Sequence, residues 1–317
     1  MDWRNYLSVM TPTSASGNMV FNFTTYDANP NITLTMTVSA AAGLNEVAVA
    51  REIHDQLTVQ LIQASAQYSG IPVFSNQTPK ATFYIGQSDN IVSVWSQATF
   101  LLTEISNATG AAIQISSNPT YVTLAQAKSL APLLGFEFTD ANEAELTDEQ
   151  IMVVLQLASN QISSIVNNNL VIANYLLEYI GNMEGSTSLQ YGPVVNYDTP
   201  VILPPLYAIM AQAYYIYLYP YSFQVNRKLR ILNYRFTSQL MGDGDPFEMN
   251  NEVKMTYRAG FMNIPSIIKE KTLLVTTLML NDANVRSLKA GSFAVEFRLP
   301  IETLKAIYAE LGAYRIP

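Results

Sequence analysis

The sequence predicts an α+β protein of two parts, an N-terminal α+β domain over residues 1–139 and a helical domain with a small β-sheet over residues 140–317. Three stretches lead to that reading. Over residues 31–38, Ile32, Leu34, Met36 and Val38 alternate with Asn31, Thr33, Thr35 and Thr37, the period of a strand buried on one face. Over residues 147–166 the spacing turns helical, with Ile151, Val154, Leu155, Ala158, Ile162 and Ile165 on one side. Residues 253–280 use both periods in turn. Val253, Met255 and Tyr257 alternate with Glu252, Lys254 and Thr256, and Arg258-Ala259-Gly260-Phe261 breaks the strand where Gly260 can take a backbone angle closed to other residues. Pro265 stands where a first helical residue has no use for its N–H. Ile267, Leu274 and Leu278, flanked by Ile268, Val275 and Met279, then make a wide apolar stripe, with Lys269-Glu270-Lys271 marking a wetted face.

The remaining elements follow in order. Residues 1–17 are Ser/Thr-rich and read as an arm or a peripheral strand. Asn45 is placed to cap a helix running to about Ala66, with Val47, Ala50, His54, Leu57 and Leu61 on one face. Strands are expected over 81–85, 90–95, 98–105 and 111–116. A short helix should start at Thr123 and run through Leu134, with Gly135 as its stop. The acidic run TDANEAELTDEQ at 139–150 is the natural boundary. As a calcium loop it fails, because Ile151 stands where a bidentate Glu is needed. As a helix start it works, with Thr147 and Gln150 as a capping box and Asp148 and Glu149 in the first turn. Past Asn167-Asn168-Asn169 a second helix is expected over 170–180, with Leu170, Ala173, Leu177 and Ile180 inward and Gly181 ending it. Residues 182–206 read as loop with extended pieces near Tyr191–Val195, followed by a strand in which Tyr215, Tyr217, Tyr219 and Tyr221 recur at period two. Residues 241–250 read as a turn. Phe293, Val295 and Phe297 mark a further strand, and Pro300 opens a last helix with Ile301, Leu304, Ile307, Tyr308 and Leu311 apolar. Gly312 ends it and leaves a short tail.

Of 317 residues 49% are hydrophobic and only 13% charged, about half the usual charged share. Amides, hydroxyls and phenols take the place of charge, as on a surface buried against other subunits. A net charge of −8 argues against broad nucleic-acid binding, which needs clustered Lys and Arg, but suits a protein past which DNA slides. There is no cysteine, so disulfides, thiolate nucleophiles and Cys-based metal sites are excluded. The first residues lack the basic and apolar regions of a signal peptide, which makes the Asn-x-Ser/Thr triplets at Asn22, Asn31, Asn76 and Asn107 chance matches. Residues 199–226 carry no acidic or basic side chain, yet Pro204, Pro205 and Pro220 leave an apolar run too short to span a bilayer.

Catalytic chemistry is sought without success, and no cofactor or metal is expected. His54 is the single histidine, and its neighbour Asp55 is expected to point elsewhere, so it reads as a packed or half-exposed helix residue. Asp243, Asp245 and Glu248 offer too few ligands for a cation and read as a solvated loop. The Tyr stripe could stack bases but lacks a basic groove and reads as sheet packing. Arg227, Lys228, Arg230 and Arg235 form the only basic cluster, a candidate for DNA in a lumen or for intersubunit ion pairs. Hydrolysis of cell-wall glycans would need two carboxylates a few ångströms apart, and none sits in a telling motif.

Three segments of the second domain carry a family resemblance. They are LTDEQIMVVLQLASNQI with NYLLEYIGN over 146–182, the strand–turn–helix of 253–280 with its Tyr257–Phe261 turn and following Ile264-Pro265, and LPIETLKAIYAELGAYRIP at 299–317. In this order they resemble the head-to-tail connector (adaptor) proteins of tailed bacteriophages, and the LLGF at 133–136 is similar to a pattern in viral structural proteins. The resemblance implies a connector (adaptor) domain over 140–317, with an opening helix pair and a C-terminal helix plus tail. It also implies a ring of about twelve copies beneath the portal protein in the neck of a virion assembled in the host cytoplasm, with DNA passing through and no membrane involved. Tyr314, Arg315, Ile316 and Pro317 would then contact the portal; residues 1–139 are extra to the resemblance, and they are expected to hold fibre or collar proteins. A different tail or collar component, such as a tail terminator, baseplate or fibre-attachment protein, is the alternative.

Overall fold

The computed structural model describes residues 3–25, 32–69, 83–96, 99–134, 137–139, 145–166, 170–181, 184–197, 200–203, 222–227, 230–235, 251–281 and 301–314. The chain is α+β, as the sequence predicts, and its contacts divide it into two units. One takes residues 1–171, 262–315 and 317; the other takes 172–261 and residue 316. The expected boundary at 139/140 therefore lies inside the first unit. The strand–turn–helix of 253–280 is shared between the two, its strand in one and its helix in the other.

In the first unit, β1 (Trp3–Val9), β4 (Phe83–Ser88), β5 (Ile91–Ser96) and β7 (Ile113–Ser116) form a sheet in the order β4-β5-β1-β7. Residues 3–9 are thus an inner strand rather than the arm or peripheral strand expected. Tyr6 to Met10 are all buried, Ser8 among them, and pairing on both sides places the strand inside, which no alternation in the sequence announces. A second sheet, in the order β3-β2-β6, joins β2 (Gly17–Thr25), β3 (Ile32–Ala40) and β6 (Phe100–Asn107). Met36 and Val38 are buried while Thr33, Thr35 and Thr37 are exposed, the expected alternation.

Helix α1 (Glu46–Ser69) is capped by Asn45, whose side-chain oxygen accepts the Ala48 N–H at 2.9 Å. Its buried stripe is Val49, Ala50, Ile53, Leu57 and Leu61. Val47 is exposed and His54 only half-buried, so the helix sits slightly rotated from the expected face. Packing of β-branched Val49 and Ile53 against Leu7, Phe21, Phe23, Val92 and Val94 decides that rotation.

Helix α2 (Leu124–Leu130) opens with a complete capping box, in which the Thr123 hydroxyl accepts the Gln126 N–H and the Gln126 amide accepts the Thr123 N–H. A 3-10 turn, Pro132–Leu134, follows. Helix α3 (Asp148–Val166) starts at the predicted box, with Gln150 Oε1 2.9 Å from the Thr147 nitrogen, and all six expected inward residues are buried. It packs on α4 (Ser266–Asn281). The last helix, α5 (Ile301–Glu310), buries Ile307, and Leu311 is buried just beyond it.

The second unit centres on β14 (Asn251–Ala259), which pairs antiparallel with β8 (Ala173–Gly181) over nine residues. Its other side takes β10 (Val194–Tyr197) and β11 (Val201–Leu203). Val253, Met255 and Tyr257 point into the core, as predicted. Gly260 has φ +126, and its N–H bonds the Pro193 carbonyl at 3.0 Å, so the turn uses the freedom that only glycine offers. A small sheet of β9 (Glu184–Ser188), β12 (Ser222–Asn226) and β13 (Ile231–Arg235) completes the unit, in the order β12-β13-β9.

The helix expected over 170–180 is a correction: from Ala173 on these residues form β8. Its short apolar run satisfies either period, and tertiary pairing settles the choice. Tyr175 stacks on Tyr191 at 4.2 Å and on Tyr257 at 5.5 Å between ring centroids, an arrangement that extended neighbouring strands permit. The expected Tyr-rich strand at 206–221, the turn at 241–250 and the strand around Phe293–Phe297 lie outside the described residues.

Candidate interaction site

The basic cluster belongs to the hairpin formed by β12 and β13, with Arg227 and Arg230 in its turn. Arg227 is exposed and its guanidinium lies 5.6 Å from the centroid of the Tyr197 ring, a cation–π distance. Tyr197 is itself held edge-on by Phe223 at 6.0 Å. Arg230 has φ +55, its carbonyl accepts the Leu189 N–H at 2.6 Å, and its stem lies so close over Gly192 that a Cβ there would fall 2.5 Å from Arg230 Cδ. Arg235 pairs with Ser222 at the far end of the hairpin. Five residue steps, about 17 Å of extended chain, lie between it and Arg230. The hairpin thus presents two arginines at its turn and one at its base. Lys228 lies outside the described residues.

Tyr314 closes the 3-10 turn Gly312–Tyr314, half-buried, its N–H bonding Leu311 O at 3.0 Å. Arg315, Ile316 and Pro317 lie outside the described residues, as do Asp243, Asp245 and Glu248. His54 Nδ1 sits 2.7 Å from Asp55 Oδ1, so its sequence neighbour does turn toward it, contrary to expectation. The pair is on the flank of α1, where adjacent side chains can still meet if both rotamers lean the same way. Among the described residues no three His, Asp or Glu side chains gather as a metal site, and no described helix is long and apolar enough to cross a membrane.

Several polar residues that shape the surface and the joints within the first unit gave no sequence signal. Asp89, in the β4–β5 turn with φ +48, accepts the Ile264 N–H at 2.8 Å and pairs with Lys269 at 2.9 Å, while its own N–H bonds Met262 O at 3.0 Å. Tyr121 donates its N–H to Ser159 Oγ (3.1 Å), and its hydroxyl lies 2.7 Å from Ser163 Oγ. These contacts tie residues 1–139 to α3 and to the start of α4. Burial pushes the Tyr121 phenol well above its ordinary range. Lys271, expected on a wetted face, is buried and paired with Glu310 at 2.5 Å, which raises its ammonium pKa. The apolar stripe of α4 is consequently interrupted by a cation whose partner is 39 residues away in sequence, a contact that helical periodicity cannot reveal.

Glu104 stands on β6 after buried Phe100 and Leu102, the third residue of the core-facing row. Ile105 is a bulge there, because Val20 pairs with Ser106 and Phe21 with Glu104. Burial raises the Glu104 pKa above 4.5 against a smaller lowering by Asn107. A raised carboxyl pKa means the fold binds the proton more tightly, so this group's contribution to stability is full below about pH 4.5 and is lost as pH rises through the folded value. Glu104→Gln should accordingly raise the thermal midpoint at pH 7–8, with the gain shrinking toward pH 4; an equal gain at both ends would show that charge burial is not the cause.

No protein-family model matches the sequence, and no curated protein matches it. Among solved structures, a chain from the neck of an empty gene transfer agent particle, computed with C6 symmetry, aligns with TM-score 0.36 at 12% identity, covering 62% of this chain and 91% of that one. A chain from the virion of the native gene transfer agent particle aligns with TM-score 0.37 at 14% identity over the same shares. Overlaps this low carry no functional argument.

Proposed function

We propose that this chain is a structural protein of a phage-like virion neck, a head-to-tail connector that forms a homo-oligomeric ring under the portal and lets DNA pass. The observation that supports the reading is that α3, capped at Thr147 in the first resembling segment, packs on α4, the helix of the second. NYLLEYIGN, the second half of the first segment, departs from the resemblance by forming a strand where a helix pair is implied. A surface poor in charge and rich in amides suits burial between copies. In this reading Tyr314, Arg315, Ile316 and Pro317 reach the portal. Arg227, Lys228, Arg230 and Arg235 face either the DNA, without reading its sequence, or a neighbouring copy. Residues 1–139, whose core from Leu7 to Ala111 is closed within that span, hold other collar or fibre proteins.

The test is the mass of the purified chain in solution, alone and mixed with its portal. A ring of about twelve, formed alone or only on the portal, is the expected result. A stable monomer that ignores the portal would move the assignment to a baseplate or fibre-attachment protein.

A further inference from the structure

The β3-β2-β6 sheet treats its two edges differently. On β3 the side-chain amides of α1 stand in for a missing strand. Gln60 accepts the Thr37 N–H at 3.1 Å and donates to the Thr37 carbonyl at 2.8 Å. Gln56 does the same for Ser39, at 2.9 and 2.8 Å. The geometry suits this, since four helical residues rise about 6 Å and two strand residues span about 6.8 Å. Over Thr37–Ser39 that edge is closed to a further strand.

The β6 edge is not closed in this way. Among the described residues β6 pairs with β2 alone. Leu101 and Ile105 stand 46% and 57% exposed, with Thr103 between them. An open groove lined by Glu104, Asn107, Gly110 and Ile113 runs beside the strand, and one Glu104 carboxylate oxygen is buried in the protein without a hydrogen-bond partner. An exposed edge with apolar side chains along one face is a template for strand addition.

We infer that the β6 edge receives one extended segment of another protein, with apolar residues four apart lying over Leu101 and Ile105 and a basic side chain reaching Glu104. Charge complementarity selects this occupant over a second copy of β6. Antiparallel self-pairing about Thr103 sets Leu101 against Ile105 but leaves Glu104 opposite Leu102, with no cation. Closure of β3 by Gln56 and Gln60 also stops the sheet from propagating from copy to copy, so the addition ends after one strand. The inference stands on the first unit alone and does not need the neck reading.

The experiment selects from a displayed library of randomised ten-residue peptides on the full-length chain. Enriched peptides are then measured, as synthetic peptides, against wild type, Leu101→Asp/Ile105→Asp, Glu104→Gln and the control Val59→Asp, which alters another exposed apolar residue on α1. The expected result is peptides with apolar residues four apart and at least one Lys or Arg. Their affinity should fall at least tenfold with the double variant and several-fold with Glu104→Gln, and stay unchanged with Val59→Asp. Circular dichroism of each variant separates lost binding from lost folding, and Glu104→Gln, expected to stabilise, keeps the test valid if the double variant unfolds. Three results would overturn the inference: no enrichment, equal binding to Glu104→Gln and wild type, or concentration-dependent self-association abolished by Leu101→Asp/Ile105→Asp, which would assign the edge to a second copy.

Discussion

Replacing Asp89 by alanine is expected to destabilise the first unit by about 3 kcal/mol, the range found when one partner of a largely buried, hydrogen-bonded charge pair is removed. Asp89 is 13% exposed at its side chain and Lys269 22%, so solvent screens their 2.9 Å contact only in part. The change strands the Lys269 ammonium and the Ile264 N–H together. It also places alanine at φ +48, a region that aspartate and asparagine tolerate better than other side chains. Asp89→Asn separates these effects. It keeps the backbone preference and an oxygen for Ile264, loses the charge, and should cost about 1–2 kcal/mol. Both tryptophans, Trp3 and Trp95, lie in this unit, so urea unfolding followed by tryptophan fluorescence reads the effect directly. A loss below about 0.5 kcal/mol for Asp89→Ala, the scale of an exposed pair, would mean that the β4–β5 turn does not hold the start of α4 in place.

What could be read in the sequence is what local physics decides. The caps at Asn45, Thr123 and Thr147, the inward row of Val253, Met255 and Tyr257, and the Gly260 turn each depend on residues within a few positions of one another. The strand at 173–181 could not be read, because Tyr175 finds Tyr191 and Tyr257 only after the chain has folded back. The burial of Lys271 depends on Glu310 in the same way. The arginines of 227–235 show a third limit. They look like one patch along the chain, but a hairpin sends its two ends apart, so sequence proximity overstates their concentration. Of the interaction surfaces proposed, the basic segment was visible as composition. The β6 edge was not, because an edge is defined by which strands fail to arrive beside it.

Glutamines at 56 and 60 gave no sequence signal either, since surface glutamine on a helix is ordinary, yet their removal is expected to change how the chain behaves in solution. Gln56→Ala/Gln60→Ala gives up four hydrogen bonds to the β3 backbone. Each is exposed and replaceable by water, so the stability loss should be modest, about 2 kcal/mol in total. The larger effect is on association. Freed N–H and C=O groups at Thr37 and Ser39 would give the sheet two open edges, the condition for edge-to-edge growth. Light scattering of the double variant should show species growing with concentration at temperatures where the wild type does not. Gln60→Glu provides a reversible form of the same test. As a carboxylate it can accept the Thr37 N–H but faces the Thr37 carbonyl without a proton to donate, whereas the protonated acid can make both bonds. The fold then favours the protonated form and raises the pKa of the new carboxyl, so the lost stability is recovered as pH falls toward about 4.3 and is absent above the folded value. If Gln60→Glu is as stable and as monodisperse as wild type at neutral pH, the β3 edge is guarded by something other than these amides, and the asymmetry between the two edges no longer argues for strand addition at β6.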